Sequence, residues 1–402
     1  MTSSQAVKVD RKVIRSDEAD SPRVERVGNV WHVRAVDLAR QVLREKDGSH
    51  QAGFLVEVGS KATQSMRPPI LWMDGAEHRE QRAKTARFFA PKTVDRRYRE
   101  LMDSRSQQLV DDAVAAGEVV VDDLSLRYSV EVAAQVIGLT NSPVDGLAKR
   151  LMRLFKVEAV HPGGPPPSRF HAIRQSVTTL PAVGTFFIKD VRPAIKARKA
   201  ERQEDVISHL LDEGYSPQEI LTECVTYGAA GMVTTREFIT MCVWHLMQKP
   251  ELRARFVVAG EKERYAILEE ILRLEPIVGH LYRRVQHDFT ITDGEQTYEL
   301  RAGDLVDFYI RQANADDTVV GADPLALCPG RDLPRGVGAE VLSFGDGPHK
   351  CPGNSLAIQE TDILLTKLLK LDVEMIAEPE VGWDEVIAGY ALRGLRLKVT
   401  RG

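Results

Sequence analysis

Cysteine is scarce: the 402-residue chain has four, too few to staple a protein of this length with disulfides. A reducing cytoplasm is the expected compartment, and each cysteine then needs its own explanation. Charge of one sign is also missing. Fifty-four Lys plus Arg stand against 58 Asp plus Glu, a net charge of -4, so neither nucleic acid nor an anionic membrane surface is an expected partner. No apolar run approaches the ~18 residues that span a bilayer. The segment from Met1 to about Arg23 lacks the basic start and apolar core of a secretion signal, and we expect it to be polar and flexible. Internal repeats are absent. A hydrophobic fraction of 43% and a charged fraction of 28% exclude disorder, collagen-like fibre and coiled coil, and describe an ordinary globular protein. Length alone suggests two to three domains, at about 150 residues each.

Helical periodicity dominates what is there. It predicts helices over Ala35–Arg44, Val94–Ala116, Leu124–Ile137, Ser216–Met247, Tyr265–Leu274 and Ser355–Leu371. The fourth opens on Ser216-Pro217-Gln218-Glu219, a capping box with proline at the first helical position. It is apolar on nearly every face around Val225–Val233, so it should cross the middle of the molecule, and Pro250 should close it. Strand patterns surround a Gly28-Asn29 turn within Val24–Val33 and an Asp293-Gly294 turn between Phe289–Ile291 and Thr297–Leu300. Leu305–Tyr309 adds a further strand. The expected fold is mostly α with a minor β-sheet region. His161–Ser168, reading HPGGPPPS, is the best candidate linker, and a surface loop or lid is the preferred reading because helical pattern resumes beyond it.

One cysteine stands apart. Ser343–Gly353 reads SFGDGPHKCPG: Gly345, Gly347 and Gly353 surround Cys351, and an apolar helix follows at once. Glycine permits the turns and close approach that a bulky planar ligand requires. Backbone N–H groups and a helix N-terminus can stabilise a thiolate, and Phe344 can shield one side of it. A metal-bound thiolate suits this combination better than a structural thiol. Cys328 also begins a Cys-Pro-Gly triplet but lacks the upstream Phe and the glycine-rich turn, which makes it a loop cysteine. Cys224 and Cys242 fall on the long helix and read as small apolar fillers.

The pattern F-x-x-G-x-x-x-C-x-G, met by Phe344, Gly347, Cys351 and Gly353, resembles the haem-binding signature of the cytochrome P450 family. The resemblance implies haem b (iron protoporphyrin IX), with Cys351 as the thiolate ligand of its iron, and Phe344, Gly345 and Gly353 in the cofactor-binding loop. Three further segments resemble the family. Glu270-Ile271-Leu272-Arg273 matches its E-x-x-R, with both charges on one helix face, although Glu269 can equally reach Arg273. Asp332-Leu333-Pro334-Arg335 matches the segment that adds a second arginine, so Glu270, Arg273 and Arg335 are expected as a buried bracing network. His78 and Arg82 form H-x-x-x-R, pointing the same way toward the haem propionates. Arg284 and His349 are implied there too, with Arg283 an alternative to Arg284. Ala230-Gly231-Met232-Val233-Thr234-Thr235 resembles the oxygen-binding stretch of the central helix: Gly231 would loosen the helix beside the haem, and Thr234 would supply the hydroxyl. The likeness covers nearly the whole chain, most densely from about Met73 onward. It implies a single haem-centred domain over residues 24–402.

Val233 departs from the family pattern, which has an acid there. In the usual family scheme that acid and the adjacent Thr deliver protons during oxygen activation. Either water or a substrate hydroxyl completes the relay around Thr234, or Glu237 helps, or the enzyme does not insert oxygen. Family members that couple aromatic groups, including ones acting on cyclic dipeptides, have a similarly acid-free stretch. The resemblance therefore implies an oxidoreductase of a natural-product scaffold, with aromatic coupling slightly favoured over hydroxylation of a terpenoid, polyketide or steroid-like substrate. A haem sensor without turnover is the reading from another class. Trp72, Ala229, Val233, His280 and Tyr390 are candidate substrate contacts. A ferredoxin and its reductase are the implied electron donors to a monomeric protein, with Arg79, Lys84, Arg87 and Lys350 as the expected docking surface for an acidic redox protein.

Overall fold

A computed structural model describes residues 8–13, 21–56, 66–154, 162–164, 179–385 and 387–401; most of the proposed linker His161–Ser168 lies outside them. Helices dominate. The long central helix begins with the expected capping box, in which Ser216 accepts from the Glu219 N–H and Glu219 accepts from the Ser216 N–H. It runs as Pro217–Gly228, loosens into a π-helical turn at Ala229–Val233, and continues as Thr234–Gln248. The long helix closes at Gln248, just before Pro250 as expected, and Pro250 opens the next helix, Pro250–Val258. Tertiary contact explains the apolar pattern: twelve consecutive residues from Thr235 to Leu246 are buried, because Val121–Ile137, Glu261–Leu274 and Asn354–Leu368 all pack against this helix.

A five-stranded sheet lies beside the helical body, in the order Val24–Val27, Val30–Val33, Leu305–Tyr309, His280–Val285, Ser49–Ala52. Its second and third strands pair in parallel, and the others antiparallel. The Phe289–Asp293 and Gln296–Leu300 strands form the predicted hairpin, with its turn one residue later than expected, at Gly294-Glu295, because Asp293 pairs with Gln296. Strands near the C-terminus pair as Glu380–Asp384 with Gly389–Arg393, and Asp372–Ala377 with Arg396–Thr400. A large helical core and a smaller one around the sheet hold the interior.

Residues 8–13 correct part of the expectation for a flexible N-terminal segment. The Asp10 N–H donates to the Leu325 carbonyl at 2.9 Å, and the Asp10 carboxylate accepts the Leu327 N–H at 2.8 Å. Lys12 lies 4.6 Å over the Trp244 ring.

Candidate active site

The Cys351 loop is shaped by glycine and by one backbone bond. Gly347 has φ +68°, and a Cβ there would lie 1.9 Å from the Leu43 carbonyl oxygen, so no side chain fits against the helix Val36–Leu43. The Cys351 N–H donates to the Phe344 carbonyl at 2.8 Å, closing the loop on itself. Gly353 then leads into the helix Asn354–Leu368. Burial pushes the Cys351 thiol up, while the Gly353 N–H and the Arg82 and Lys350 charges oppose this. Cys328 is exposed, and Cys224 and Cys242 are buried with thiols pushed well up by burial.

A network fastens this loop to the core. Arg273, fully buried, donates to both Glu270 oxygens at 2.7 and 2.8 Å, a bidentate pair. The second arginine is Arg331, whose Nε donates to Glu270 Oε1 at 2.9 Å. Arg335 is exposed and does not take that place. The turn after Cys328 carries Arg331 toward Glu270, because the Cys328 N–H is itself bonded to Glu270 Oε1 at 2.9 Å. Asn314 extends the brace. Its carbonyl accepts from Arg273 at 2.8 Å, its side chain accepts the Leu342 N–H at 2.9 Å, and its amide donates to Ser343 at 2.8 Å.

On the helix Gly75–Thr85, the i,i+4 spacing places His78 and Arg82 toward the cysteine loop. His78 stacks on His349 with centroids 4.0 Å apart and an interplanar angle of 14°. Burial and the neighbouring cations lower both imidazoles, His78 to about 3, so both rings are neutral at pH 7. His349 Nε2 lies 3.0 Å from Asp74. Arg82 donates to the Lys350 carbonyl, and its charge interacts with both Tyr227 of the central helix and Cys351.

The arginine that joins this cluster is Arg283. Neighbouring residues on a strand face opposite sides: Arg283 is buried and interacts with His78, His349 and Asp74. Arg284 turns away and donates to the Gly303 and Pro162 carbonyls at 3.2 and 3.0 Å. Burial brings Arg283 down to about 10. Among the described residues neither Arg82 nor Arg283 has a carboxylate salt bridge, and a buried unpaired cation is costly. Two guanidinium groups and the N–H of neutral His78, with Asp74 taken up by His349, make a place for an anionic ligand.

The central helix faces the same region with small residues. Ala230 is exposed although its flanks are not, and Ala229, Gly231 and Thr234 are half-buried. The Thr234 hydroxyl donates to the Ala230 carbonyl at 2.6 Å across the π turn. A Cβ on Gly231 would lie 3.3 Å from the Ala133 Cβ, so this glycine also serves packing against Val121–Ile137. Val233 is buried at 5% exposure. Glu237 is withdrawn from any relay: Arg236, Arg393 and the Leu392 N–H occupy its carboxylate at 2.6 to 2.9 Å.

Sequence reasoning missed Glu360. It is buried, its Oε2 has no partner among the described residues, and its carboxyl is pushed well up by burial while hydrogen-bonded to Thr235, the neighbour of Thr234. Only its apolar helix setting marks it in the sequence.

Three expected substrate contacts have their polar atoms engaged within the protein. His280 shares the strand face opposite Arg283 and bonds Asp307 at 2.7 Å. The Tyr390 hydroxyl donates to Glu275 at 2.8 Å, and Trp72 donates to the Phe54 carbonyl at 3.2 Å. The expected docking cations are mostly countered as well. Arg79 pairs with Asp47, Lys84 with Glu80 and Glu213, and Lys350 with Glu340; Arg87 lies over the Phe88 ring.

Two functional clues adjoin here: a thiol loop braced from behind, and a cationic cluster beside it facing a loosened helix. A donor set of this kind fits a planar dianion with a thiolate-ligated metal. Comparisons agree with it. The family model described as Cytochrome P450 matches residues 265–379. Cytochrome P450(BM-1) of Priestia megaterium is 23% identical, covering 85% of this chain and 81% of that protein. The 20-oxo-5-O-mycaminosyltylactone 23-monooxygenase of Streptomyces fradiae is 27% identical, covering 85% and 76%. Among solved structures, CalO2 superposes with a TM-score of 0.77 at 20% identity, covering 94% of this chain and 93% of that one.

Proposed function

Because this chain belongs to the cytochrome P450 family, whose members are haem-dependent oxidoreductases, we propose that it oxidises a natural-product scaffold at a haem held by Cys351. Haem bound through a thiolate supplies oxidising power drawn from dioxygen and two electrons. Cys351 would be the ligand, its loop fixed by the Phe344 carbonyl and braced through Asn314 and Glu270. Arg82 and Arg283, with the N–H of neutral His78, would hold the two propionates, and His349, anchored on Asp74, would position the His78 ring by stacking. Residues 24–402 would then form one domain around that group. The Thr234 hydroxyl, parked on the Ala230 carbonyl, is free to turn toward a bound substrate or water.

The observation that carries the finer reading is Val233. A buried valine beside Thr234 can neither give nor take a proton, and Glu237 is fully engaged by arginines. Aromatic coupling, for example of an aromatic cyclic dipeptide, removes hydrogens from substrate without inserting oxygen; reducing dioxygen to water still draws two protons, which water or a substrate hydroxyl would carry past Thr234 in place of the acid. Conventional hydroxylation is the second reading, favoured by Glu360: a buried carboxyl, pushed toward its protonated form by burial and bonded to Thr235, lies one residue from Thr234. The Streptomyces fradiae relative, named as a monooxygenase, points the same way. A ferredoxin and its reductase supply electrons in this proposal, in the cytoplasm. Among the described residues no helix is long and apolar enough to cross a membrane.

Product mass tests the proposal. Turnover with a ferredoxin system should give a dimer or the loss of two hydrogens for coupling; the gain of one oxygen from dioxygen would assign hydroxylation. Haem loading without turnover of any substrate class would support a sensor instead.

A further inference from the structure

A cavity of about 420 Å³ opens on the far side of the cysteine loop, lined among others by Tyr265 and Glu269 of the helix Glu261–Leu274, Gln359 and Ile358 of Asn354–Leu368, and Phe344 and Glu340 of the loop. Lys92, Arg99, Tyr265 and Ser355 bring donors to the lining, yet two of its acceptors, the Glu269 carboxylate and Gln359 Oε1, are met by no partner among the described residues. Gln359 is only 6% exposed. Its amide N–H₂ donates to Asp95 at 3.2 Å, which fixes the amide orientation, because a carboxylate only accepts. The Gln359 Oε1 is thereby left buried with no partner among the described residues, a costly state unless a donor arrives.

Glu269 is half-buried, and no cation among the described residues pairs with it. The other charges are accounted for. Arg99 is taken by Asp95 and Glu261, Glu340 by Lys350 at 3.3 Å, and Lys92 is exposed. Of the acceptors, one carboxylate and one amide carbonyl remain; Lys92, in solvent at the rim, is the lining cation without an ion pair among the described residues.

We infer that this cavity binds a small organic cation, an amidinium, guanidinium or ammonium carried on an apolar body. The occupant's N–H donors satisfy Glu269 and Gln359 Oε1 together, while Phe344 and Tyr265 offer aromatic faces to its charge and body. The volume suits a molecule of that size and is far larger than a single metal ion needs. The same Phe344 accepts the Cys351 N–H on its carbonyl at 2.8 Å, so the occupant rests against the back of the thiolate loop. Burial and the nearby Glu340 push the Glu269 carboxyl up to about 7. Tyr265 and Glu261 on its own helix, and Lys92, Asp95 and Arg99 opposite, are the other ionisable groups facing the cavity. A bound cation lowers the Glu269 value, so binding near pH 7 releases protons.

Calorimetric titration of the haem-loaded protein with benzamidine, and with benzamide as the neutral match, tests this. Saturable benzamidine binding is expected, roughly tenfold or more tighter than benzamide, with proton release that shows as a dependence of the heat on buffer ionisation. Glu269→Gln should weaken benzamidine by a similar factor and abolish the proton release, while its melting curve and haem spectrum stay unchanged. Absence of saturable binding at millimolar benzamidine, or equal binding of benzamide by the unaltered protein, overturns the assignment. So does equal benzamidine affinity in Glu269→Gln. The haem spectrum should not respond to benzamidine; a response that tracks the binding curve places the ligand in the haem pocket and also overturns it.

Discussion

The imidazole rings of His78 and His349 stack face to face, 4.0 Å between centroids, joining the helix Gly75–Thr85 to the loop that carries Cys351. Because both rings are neutral at pH 7, the stack carries no charge repulsion; His349 spends its one N–H on Asp74, and His78 keeps its own to donate. If that donor holds a propionate, His78→Phe should preserve the stack and the fold but weaken haem retention by roughly tenfold, the worth of one charge-assisted hydrogen bond. Haem transfer to apomyoglobin measures this, and an unchanged transfer rate would count against the assignment.

Arg283 and Arg284 allow a sharper contrast. Arg283→Gln removes a buried guanidinium facing the histidine pair and should lower haem occupancy, whereas Arg284→Gln severs only two carbonyl contacts and should not. Haem content per chain after purification distinguishes them. Equal loss in both variants would return the choice between the two residues to where the motif left it.

Arg331 bonds a Glu270 that is 3% exposed. Breaking a buried ion network typically costs about 3 kcal/mol or more, so Arg331→Ala should lower unfolding stability by that order. Arg335→Ala, at an exposed position, should stay within about 0.5 kcal/mol. Denaturant unfolding monitored by circular dichroism gives both values, and the reverse ranking would reject the network described.

Glu223 sits in the first half of the central helix and accepts the Ile70 N–H at 2.9 Å. Burial raises its carboxyl to about 8, above its unfolded value. The folded state therefore binds the proton more tightly, and the associated stability is complete below about pH 4.5 and lost as pH rises toward 8. Glu223→Gln removes the titration. The stability of this variant relative to the unaltered protein should climb between pH 4.5 and 8, with a slope of at most about 1.4 kcal/mol per pH unit, and level off above. A flat difference across that window would show that Glu223 ionises normally.

Much of the fold was legible because its signals are local. The capping box at Ser216, the hairpin turn at Gly294 and the apolar pattern of Thr235–Leu246 each depend on residues a few positions apart. The cysteine loop was legible for the same reason, since its glycines and its Phe344–Cys351 bond fall within ten residues. What the sequence left open depends on distant partners. Choosing Arg331 over Arg335 requires knowing where the loop after Cys328 lies relative to Glu270. Choosing Arg283 over Arg284 requires knowing which face of a strand is turned inward. Glu237 reads as a free acid until Arg393, from a strand 156 residues later, closes on it. Tyr390 and His280 read as pocket residues until Glu275 and Asp307 claim them. Glu360 has no motif at all: its importance arises from burial beside Thr235.

The assignment of Cys351 as the haem ligand carries the account, and the reduced carbon-monoxide difference spectrum tests it most directly. The unaltered protein and Cys328→Ser should both show the red-shifted Soret band of thiolate ligation, and Cys351→Ser should lose it. Retention of that band in Cys351→Ser, or its loss in Cys328→Ser alone, would contradict the assignment.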